Sequence, residues 1–185
     1  HFTPDQSGEI SLSCDIAELA GQDNLIYRAA MLLKPLASAN AGCQIRLDKH
    51  LPMGGGLGGG SSDAATTLHA LNLLWQLRLT TAELAALGLK LGADVPVFVH
   101  GQTAFAEGVG EHLQPVSLPE KTYLVVTPAC HISTAAIFQH PDLKRDTSKI
   151  SLAELLSSPW QNDCQPLVER LYPIVAITLQ WLLEY

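Results

Sequence analysis

A run of glycines between residues 54 and 60 constrains the fold more than any other feature of this chain. Six of these seven residues are glycine. They lie in the stretch Pro52-Met53-Gly54-Gly55-Gly56-Leu57-Gly58-Gly59-Gly60-Ser61-Ser62-Asp63. Glycine loses more conformational entropy on ordering than any other residue, so a folded protein uses such a run where the backbone needs positive φ angles or a close approach. The run therefore predicts an ordered loop with a specific task.

The segments on either side of the run have different periodicities. Cys43 to Leu47 alternate between apolar and polar residues, which predicts a half-buried strand. After the run, apolar residues recur at helical steps, at Ala64, Leu68, Leu71 and Trp75. Ser61 and Ser62 are good N-cap residues for this helix. A strand, a glycine loop and a helix N-terminus together form an anion site, most naturally for phosphate, and we hypothesise that it binds nucleotide phosphate.

Three other interpretations compete for the loop. Gly54-x-Gly56-x-x-Gly59 satisfies the dinucleotide-binding pattern, but a run so rich in glycine matches almost any spacing, and no second strand with an acidic end follows. The P-loop pattern needs Gly-Lys-Ser/Thr, and no lysine lies between Lys49 and Lys90. A flexible linker is the third alternative, although a linker has no reason to be flanked by a strand and a capped apolar helix.

Composition limits the class of protein. The 185 residues are 47% hydrophobic and 16% charged, as expected of a globular chain with a sizeable core. A net charge of -7 argues against nonspecific nucleic-acid binding. No apolar run is long enough for a membrane span. The four cysteines form no C-x-x-C pair, so we expect free thiols in a reducing cytoplasm. The histidines and cysteines have no metal-ligand spacing, so we expect no structural zinc site.

The remaining pattern mixes strands and helices. We predict strands over residues 9–13, 103–106 and 123–127, the last one buried on both faces. We predict helices over residues 25–34, 84–91, 134–138, 164–171 and 174–184. Asp23 or Asn24 can cap the first of these helices, and capping boxes begin at Thr80 and Ser151. Because hairpin-like pairs accompany the helices, α+β is favoured over a doubly wound sheet.

Asp94 is the strongest catalytic candidate outside the loop. It is one carboxylate in an otherwise apolar stretch from Ala93 to Val99, and carboxylates are seldom buried without a partner. Equally open is a structural interpretation, in which Asp94 caps a short helix with Pro96 in its first turn. If the loop holds ATP, Asp94 would orient the attacking hydroxyl and take its proton late in the reaction. Lys49 could neutralise phosphate charge, or be a solvated charge at a strand end.

The motifs together resemble one kinase family. Pro52 to Ala65, with Lys49 before and Leu91-Gly92-Ala93-Asp94-Val95-Pro96 after, closely resemble the 4-diphosphocytidyl-2-C-methyl-D-erythritol kinase family of the GHMP kinase superfamily. The superfamily loop alone would leave mevalonate, homoserine and galactose kinases open. The combination of Gly-Leu-Gly-Gly-Gly-Ser-Ser-Asp-Ala-Ala with Gly-Ala-Asp-Val-Pro is much more specific.

The resemblance implies a two-domain α+β architecture. It comprises an N-terminal ATP-binding domain, like domain 2 of ribosomal protein S5, over residues 1–117, and a partial ferredoxin-like C-terminal domain over residues 118–185. It also implies a cytoplasmic enzyme with ATP and Mg²⁺ that phosphorylates a small molecule, a cytidine-diphosphate conjugate of methylerythritol, in the non-mevalonate isoprenoid pathway. Nucleic-acid and membrane partners are not expected.

The family's functional residues transfer to matching positions of this sequence. Pro52 to Ser62 match the ATP-phosphate loop, and Asp94 matches the catalytic aspartate. Asn24 and Lys49 match positions near the nucleotide. Thr134 and Phe138 match the substrate side of the site, where an aromatic ring stacks on the cytosine.

Two motifs expected of the family are missing from these residues. One is an early strand with a catalytic lysine followed by a Tyr-His pair, and the other is a further glycine-rich motif near the C-terminus. Because the chain starts at His1 and stops at Tyr185 inside a helical pattern, it looks cut from a longer protein. We therefore predict no appreciable kinase activity for these 185 residues alone. Another GHMP kinase activity and a nucleotide-binding module without catalysis remain alternatives.

Overall fold

The computed structural model describes residues 1–53, 55–157 and 161–184. Gly54, which belongs to the predicted loop, lies outside the described residues. Internal contacts divide the chain into two units, His1–Pro119 and Glu120–Tyr185. The assignment of residues 1–117 and 118–185 to the two domains of a GHMP kinase stays a prediction.

A three-stranded sheet lies in the first unit. Its strands are β1 (Phe2–Asp5), β2 (Ile10–Cys14) and β3 (Gly42–Leu47), in the order β1-β3-β2. The central strand β3 is antiparallel to β1 and parallel to β2. Cys43 and Ile45 are buried and alternate with exposed Gln44 and Arg46, so the predicted half-buried strand is confirmed. The sequence analysis missed β1, a short edge strand that contains a proline.

Four helices complete the core of the first unit. They are α1 (Leu25–Leu33), α2 (Gly59–Leu74), α3 (Thr81–Leu89) and α4 (Val95–His100). Helix α1 packs against β2 of the sheet. The predicted capping box of α3 is present, because the side chain of Thr80 accepts from the Glu83 amide and Glu83 accepts from the Thr80 amide. Helix α2 lies against α1 and buries a continuous apolar face that includes Ala64, Leu68 and Leu71. This packing holds the N-terminus of α2 in a fixed place.

A hairpin follows α4. Strands β4 (Ala104–Glu107) and β5 (His112–Pro115) pair antiparallel, and a turn that includes residues 108–110 joins them. Gly108 and Gly110 both have positive φ angles, +72° and +115°, which this tight turn requires.

The described part of the second unit contains helices and no strand. Its helices are α5 (Thr134–Gln139), α6 (Leu152–Ser157), α7 (Gln165–Leu171) and α8 (Pro173–Glu184). The predicted buried strand over residues 123–127 is wrong: the segment forms no strand, and its side chains from Tyr123 to Val126 are between 39% and 76% exposed. An apolar β-prone run becomes a strand only beside a partner, and the described residues of this unit provide none.

The mixture of helices and strands confirms the α+β class. All four cysteines are free thiols, as predicted, and burial raises the pKa of the Cys43 thiol. Within the described ranges, no helix combines the length and the apolar character needed to cross a bilayer.

Candidate nucleotide-phosphate site

The glycine loop turns into α2 through two left-handed residues. Gly56 has φ +67° and Gly58 has φ +66°, a region in which residues other than glycine are strained. Gly58 is the N-cap of α2, and it has no side chain to bond the first-turn amides. The prediction that Ser61 or Ser62 caps this helix is therefore wrong, since both serines lie inside its first turn. The left-handed turn at Gly58 starts the helix three residues earlier than the serine pattern indicated.

The ring of Phe98 closes over Gly58. A Cβ built on Gly58 would lie 2.6 Å from Phe98 Cζ and 2.9 Å from Cε2, distances that real Cβ atoms do not reach. Position 58 thus needs glycine for its φ angle and for the space that the ring occupies. This contact ties α4, which carries Phe98, to the loop.

The first turn of α2 has unpaired amides. Ser62 donates its amide to the Gly58 carbonyl at 2.9 Å, whereas the amides of Gly59, Gly60 and Ser61 find no acceptor among the described residues. Gly60 is exposed and Gly59 and Ser61 are half-buried, so these amides lie near the surface of the first unit. An exposed cluster of amides at the N-terminus of a 16-residue helix attracts anions through both hydrogen bonding and the helix dipole.

Lys49 lies at the base of the loop and is paired. Its Nζ is 2.9 Å from Asp63 Oδ2, and the two side chains are only 11% and 30% exposed. The alternative interpretation, in which Lys49 is a solvated charge at the end of a strand, is therefore wrong. Its ammonium group also lies against the start of α2, 3.1 Å from where a Cβ on Gly59 would be.

Asn24 lies near the loop because α1 starts beside α2. Its Oδ1 accepts from the Ile26 amide at 2.9 Å, and its Nδ2 donates to the Leu19 carbonyl at 2.7 Å. The next residue, Leu25, has its Cδ1 3.6 Å from where a Cβ on Gly60 would be. Asn24 thus caps α1 through Oδ1 and ties its start to Leu19 through Nδ2, so the main evident role of the residue is to position that helix.

Asp94 stands at the N-cap position of α4, directly before Val95 and Pro96. Its side chain makes no cap hydrogen bond, is exposed, and has no ion-pair partner in the described part of the chain. The capping interpretation is therefore wrong for the carboxylate, although the predicted short helix with an early proline exists. A carboxylate without a structural partner is available to bind a hydroxyl group or a metal ion.

Two contacts hold α4 in place behind Asp94. The imidazole Nε2 of His69 on α2 lies 2.9 Å from the Val99 carbonyl oxygen. Val95 is fully buried against Gly88 of α3, where a Cβ would be 2.7 Å from Val95 Cγ1. The orientation of Asp94 relative to the loop therefore depends on packing among α2, α3 and α4.

The β4–β5 turn supports the residue before Asp94. A Cβ built on Gly110 would overlap the carbonyl oxygen of Ala93. Hydrogen bonds from its own amide and from the Val109 amide keep the pKa of Glu111 below its ordinary value, so this carboxylate stays charged and fastens the turn. The turn is thus packed against the backbone of Ala93, the residue directly before the candidate catalytic Asp94.

The predicted substrate residues lie in the second unit. Thr134 is the first residue of α5, which Ser133 caps by accepting from the Ala136 amide, and Phe138 is 59% exposed on the same helix. Arg145 fixes the other end of α5 by donating to the carbonyls of Phe138 and His140. The exposed Phe138 side chain therefore lies on a helix that is hydrogen-bonded at both ends, where it is accessible for stacking.

Cavities elsewhere do not coincide with these residues. A cavity of 590 Å³ in the second unit is lined by Asp142, Lys144 and several residues between Gln161 and Arg170. Others of 340 and 570 Å³ lie beside the Trp75–Arg78 segment. An exposed loop with free amides is a surface feature rather than an enclosed pocket, so cavity size is a poor guide to this site.

Three residues of the site escaped the sequence analysis: Asp63, Phe98 and Gly110. Asp63 directly follows the serines near the start of the helix, and Lys49 lies just before the loop. These opposite charges could have predicted the ion pair from the sequence. Phe98 and Gly110 act through contacts with distant residues, which no local pattern indicates.

Residues 24–102, which include the glycine loop, the helix that it opens and the exposed Asp94, match the family model "GHMP kinases N terminal domain". Across its full length the chain is 56% identical over 184 residues to the 4-diphosphocytidyl-2-C-methyl-D-erythritol kinase of Tolumonas auensis, and 58% identical over 185 residues to that of Shewanella putrefaciens. A crystal structure of 4-(cytidine 5'-diphospho)-2C-methyl-D-erythritol kinase superposes with a TM-score of 0.72 at 33% identity, covering 94% of this chain.

The chain therefore contains a GHMP kinase N-terminal domain over residues 24–102, and along its whole length it is similar to the 4-diphosphocytidyl-2-C-methyl-D-erythritol kinases. It spans 65% of the length of these two curated relatives and 64% of the chain in the solved structure.

Proposed function

We propose that this chain is part of a cytoplasmic ATP-dependent kinase that phosphorylates the tertiary hydroxyl, at position 2, of the methylerythritol moiety of 4-diphosphocytidyl-2-C-methyl-D-erythritol. This reaction belongs to the non-mevalonate route to isoprenoid precursors. The proposal rests on the structure of the glycine loop. Gly56 and Gly58 have left-handed backbone conformations, and the loop leads directly into the free amides at the start of α2. Relatives that bear this name and match the whole chain support the substrate.

The loop would bind the triphosphate of ATP. Residues Pro52 to Ser62 would surround it, with the amides of Gly59, Gly60 and Ser61 donating to phosphate oxygens. Most of the rate acceleration in phosphoryl transfer comes from positioning and charge stabilisation, which such a preorganised set of donors supplies. Asn24 and Lys49 would border the nucleotide, the former through the start of α1.

Asp94 would act on the acceptor alcohol. Its exposed carboxylate can accept a hydrogen bond from the hydroxyl, orient it towards the γ-phosphate and take its proton late, as a loose transition state permits. Thr134 and Phe138 would bind the cytidine end of the substrate, with the exposed ring stacked on the base.

Mg²⁺ fits the residues present. Protein sites for Mg²⁺ with nucleotides need one or two oxygen ligands, since phosphates and waters complete the octahedron. The hydroxyls of Ser61 and Ser62, in the first turn of α2, are oxygen ligands with no bonded partner among the described residues. The ion would neutralise charge on the phosphates.

A chimera tests the proposal directly. This chain would replace the 184 aligned residues of the Tolumonas auensis kinase, so that the relative supplies the remaining segments. Phosphate transfer from ATP would be measured with the cytidyl substrate, mevalonate, homoserine and galactose, beside the unaltered relative as a control. We expect transfer to the cytidyl substrate and none of comparable efficiency to the others.

Two outcomes would favour the alternatives. Transfer to one of the other alcohols would identify a different GHMP kinase activity. A folded chimera that binds ATP without transferring phosphate would identify a nucleotide-binding module. The 185-residue chain by itself should bind ATP, which thermal melting with and without the nucleotide can detect, because a ligand of the folded state raises its stability.

A further inference from the structure

Lys49 and Asp63 join the two ends of the glycine loop. Lys49 follows β3 and Asp63 lies in the second turn of α2, so their 2.9 Å ion pair spans every residue of the loop. The loop residues between them are bonded to the rest of the chain by few described hydrogen bonds. The pair is therefore a principal constraint on the separation of the loop's ends.

The environment of this pair differs from that of its neighbour in the sequence. Arg46 and Asp48 form a 3.0 Å ion pair whose side chains are 61% and 44% exposed. Surface ion pairs of this kind contribute little to the free energy of unfolding. At 11% exposure, Lys49 is largely removed from water, so losing Asp63 would leave a shielded charge without a partner. Breaking the shielded pair should therefore disturb its surroundings much more than breaking the exposed one.

The position of the Lys49 ammonium explains what the pair holds. Nζ lies 3.1 Å from where a Cβ on Gly59 would be, and that residue carries the first free amide of α2. Leu51 also contacts the same point, at 3.3 Å through Cδ1. The lysine thus packs against the backbone of the residue at which the free amides of α2 begin.

We propose that the Lys49–Asp63 pair is a loop latch: it sets the position of the glycine loop relative to the start of α2 and keeps the free amides of Gly59, Gly60 and Ser61 convergent. The inference rests on the proposed nucleotide binding. In it, Lys49 and Asp63 are positioning residues that act through the loop backbone, and the ammonium group stays on Asp63 when the phosphates bind.

This assignment is distinguishable from direct phosphate binding by Lys49. If the ammonium bound phosphate, neutralising Asp63 would release it and leave ATP binding equal or stronger. If the pair is a latch, neutralising either partner weakens ATP binding, because the same constraint is lost. The response to Asp63→Asn therefore separates the two roles.

The experiment uses the 185-residue chain and two readouts. Hydrogen exchange follows the first hydrogen-bonded amides of α2, beginning with Ser62, with the buried amides of α1 as an internal reference. Calorimetric titration measures ATP affinity. The variants are Lys49→Met and Asp63→Asn, with Asp63→Glu as the conservative variant that retains the charge and Asp48→Asn as the matched control from the exposed pair.

We expect both neutralising variants to exchange about tenfold faster at the start of α2 and to bind ATP about tenfold more weakly. Asp63→Glu should recover most of both losses, and Asp48→Asn should resemble the unaltered chain. Unchanged or stronger ATP binding by Asp63→Asn would overturn the latch. So would faster exchange in α1 to the same extent, since the pair would then stabilise the whole unit rather than the loop.

The two proposals fail separately. If the unaltered chain does not bind ATP, the proposed function fails, while exchange at the start of α2 still shows whether the pair fixes the loop. If ATP binds and neither neutralising variant changes hydrogen exchange at the start of α2, the latch proposal fails and the proposal of nucleotide binding is retained.

Discussion

The ring of Phe98 occupies the space that a side chain at position 58 would need. A Cβ on Gly58 would come within 2.6 Å of Phe98 Cζ. Phe98 also lies one helical turn after Asp94, so the two residues share a face of α4. One contact between an aromatic ring and a glycine therefore links the glycine loop to the helix that follows the candidate catalytic Asp94, although the two are far apart in the sequence.

Gly58→Ala should destabilise the first unit more than Gly56→Ala does. Both residues have φ near +66°, so each substitution carries a backbone penalty of about 1 kcal/mol. A Cβ at position 56 meets nothing within 4 Å, whereas at position 58 it meets the Phe98 ring, which adds overpacking of about 1–3 kcal/mol. Urea denaturation of both variants would measure the difference.

A second substitution identifies the cause of that difference. In a Phe98→Ala background, Gly58→Ala should cost about as much as Gly56→Ala, because the ring is gone and only the φ penalty remains. An unchanged gap between the two glycine variants in that background would contradict the steric explanation.

Asp94→Asn should leave the fold intact and abolish transfer. The carboxylate has no described cap bond or ion pair, so the free energy of unfolding should change by less than about 0.5 kcal/mol. In the chimera, kcat should fall by about 100-fold or more while ATP affinity stays within about twofold, because the group acts on the alcohol rather than on the nucleotide. Steady-state kinetics and calorimetry would measure the two quantities. Full turnover in the variant would refute the assignment of Asp94.

Gly110→Ala should move the backbone before Asp94. At φ +115° the new Cβ would overlap the Ala93 carbonyl oxygen, and neither group is at the flexible end of a side chain. We expect a loss of about 2 kcal/mol or more in urea and a lower kcat in the chimera.

The matched control for that turn is Gly101→Ala. Gly101 also has a positive φ, +64°, but a Cβ there meets nothing within 4 Å. It should show a stability loss of about 1 kcal/mol from the backbone alone and little change in kcat. Equal kinetic effects of the two variants would show that the contact with Ala93 does not position Asp94.

The Thr80–Glu83 capping box should make stability depend on acid pH. Hydrogen bonds from the Thr80 amide and hydroxyl hold the pKa of Glu83 below its ordinary value in the folded state. The resulting stabilisation is present above the unfolded pKa, about 4.3, and is lost as the pH falls through the lowered folded value. Glu83→Gln should therefore flatten the stability curve in that acid range and leave its shape near neutral pH unchanged, which denaturation at a series of pH values would show.

Thr80→Ala tests the same cap at neutral pH. Loss of the hydroxyl should cost about 1 kcal/mol, because α3 buries Leu84 and Ala85 in the core and cannot fray without exposing them. Ser151 and Glu154 form a chemically equivalent box at α6, a helix that buries no residue. Ser151→Ala should therefore change global stability by much less, and equal losses would contradict this reasoning.

Local patterns predicted the elements that local interactions determine. The alternation of Cys43 to Leu47 predicted β3, and the box at Thr80 predicted the start of α3, since both signals lie within a few residues. The glycine run, with the strand before it and the helix after it, indicated an anion site. Residues 123–127 show where such patterns fail: their apolar, β-branched composition predicted a buried strand, but pairing and burial depend on other segments.

The sequence by itself determined that a glycine loop would open a helix in an α+β protein, and its motifs indicated the kinase family, because glycine runs and periodicities act over short distances. Tertiary structure decided that Gly58 rather than a serine starts α2, that Lys49 is shielded and paired with Asp63, and that Gly110 supports the backbone beside Asp94. The physical reason is that sterics and burial at each of these positions come from residues distant in the chain.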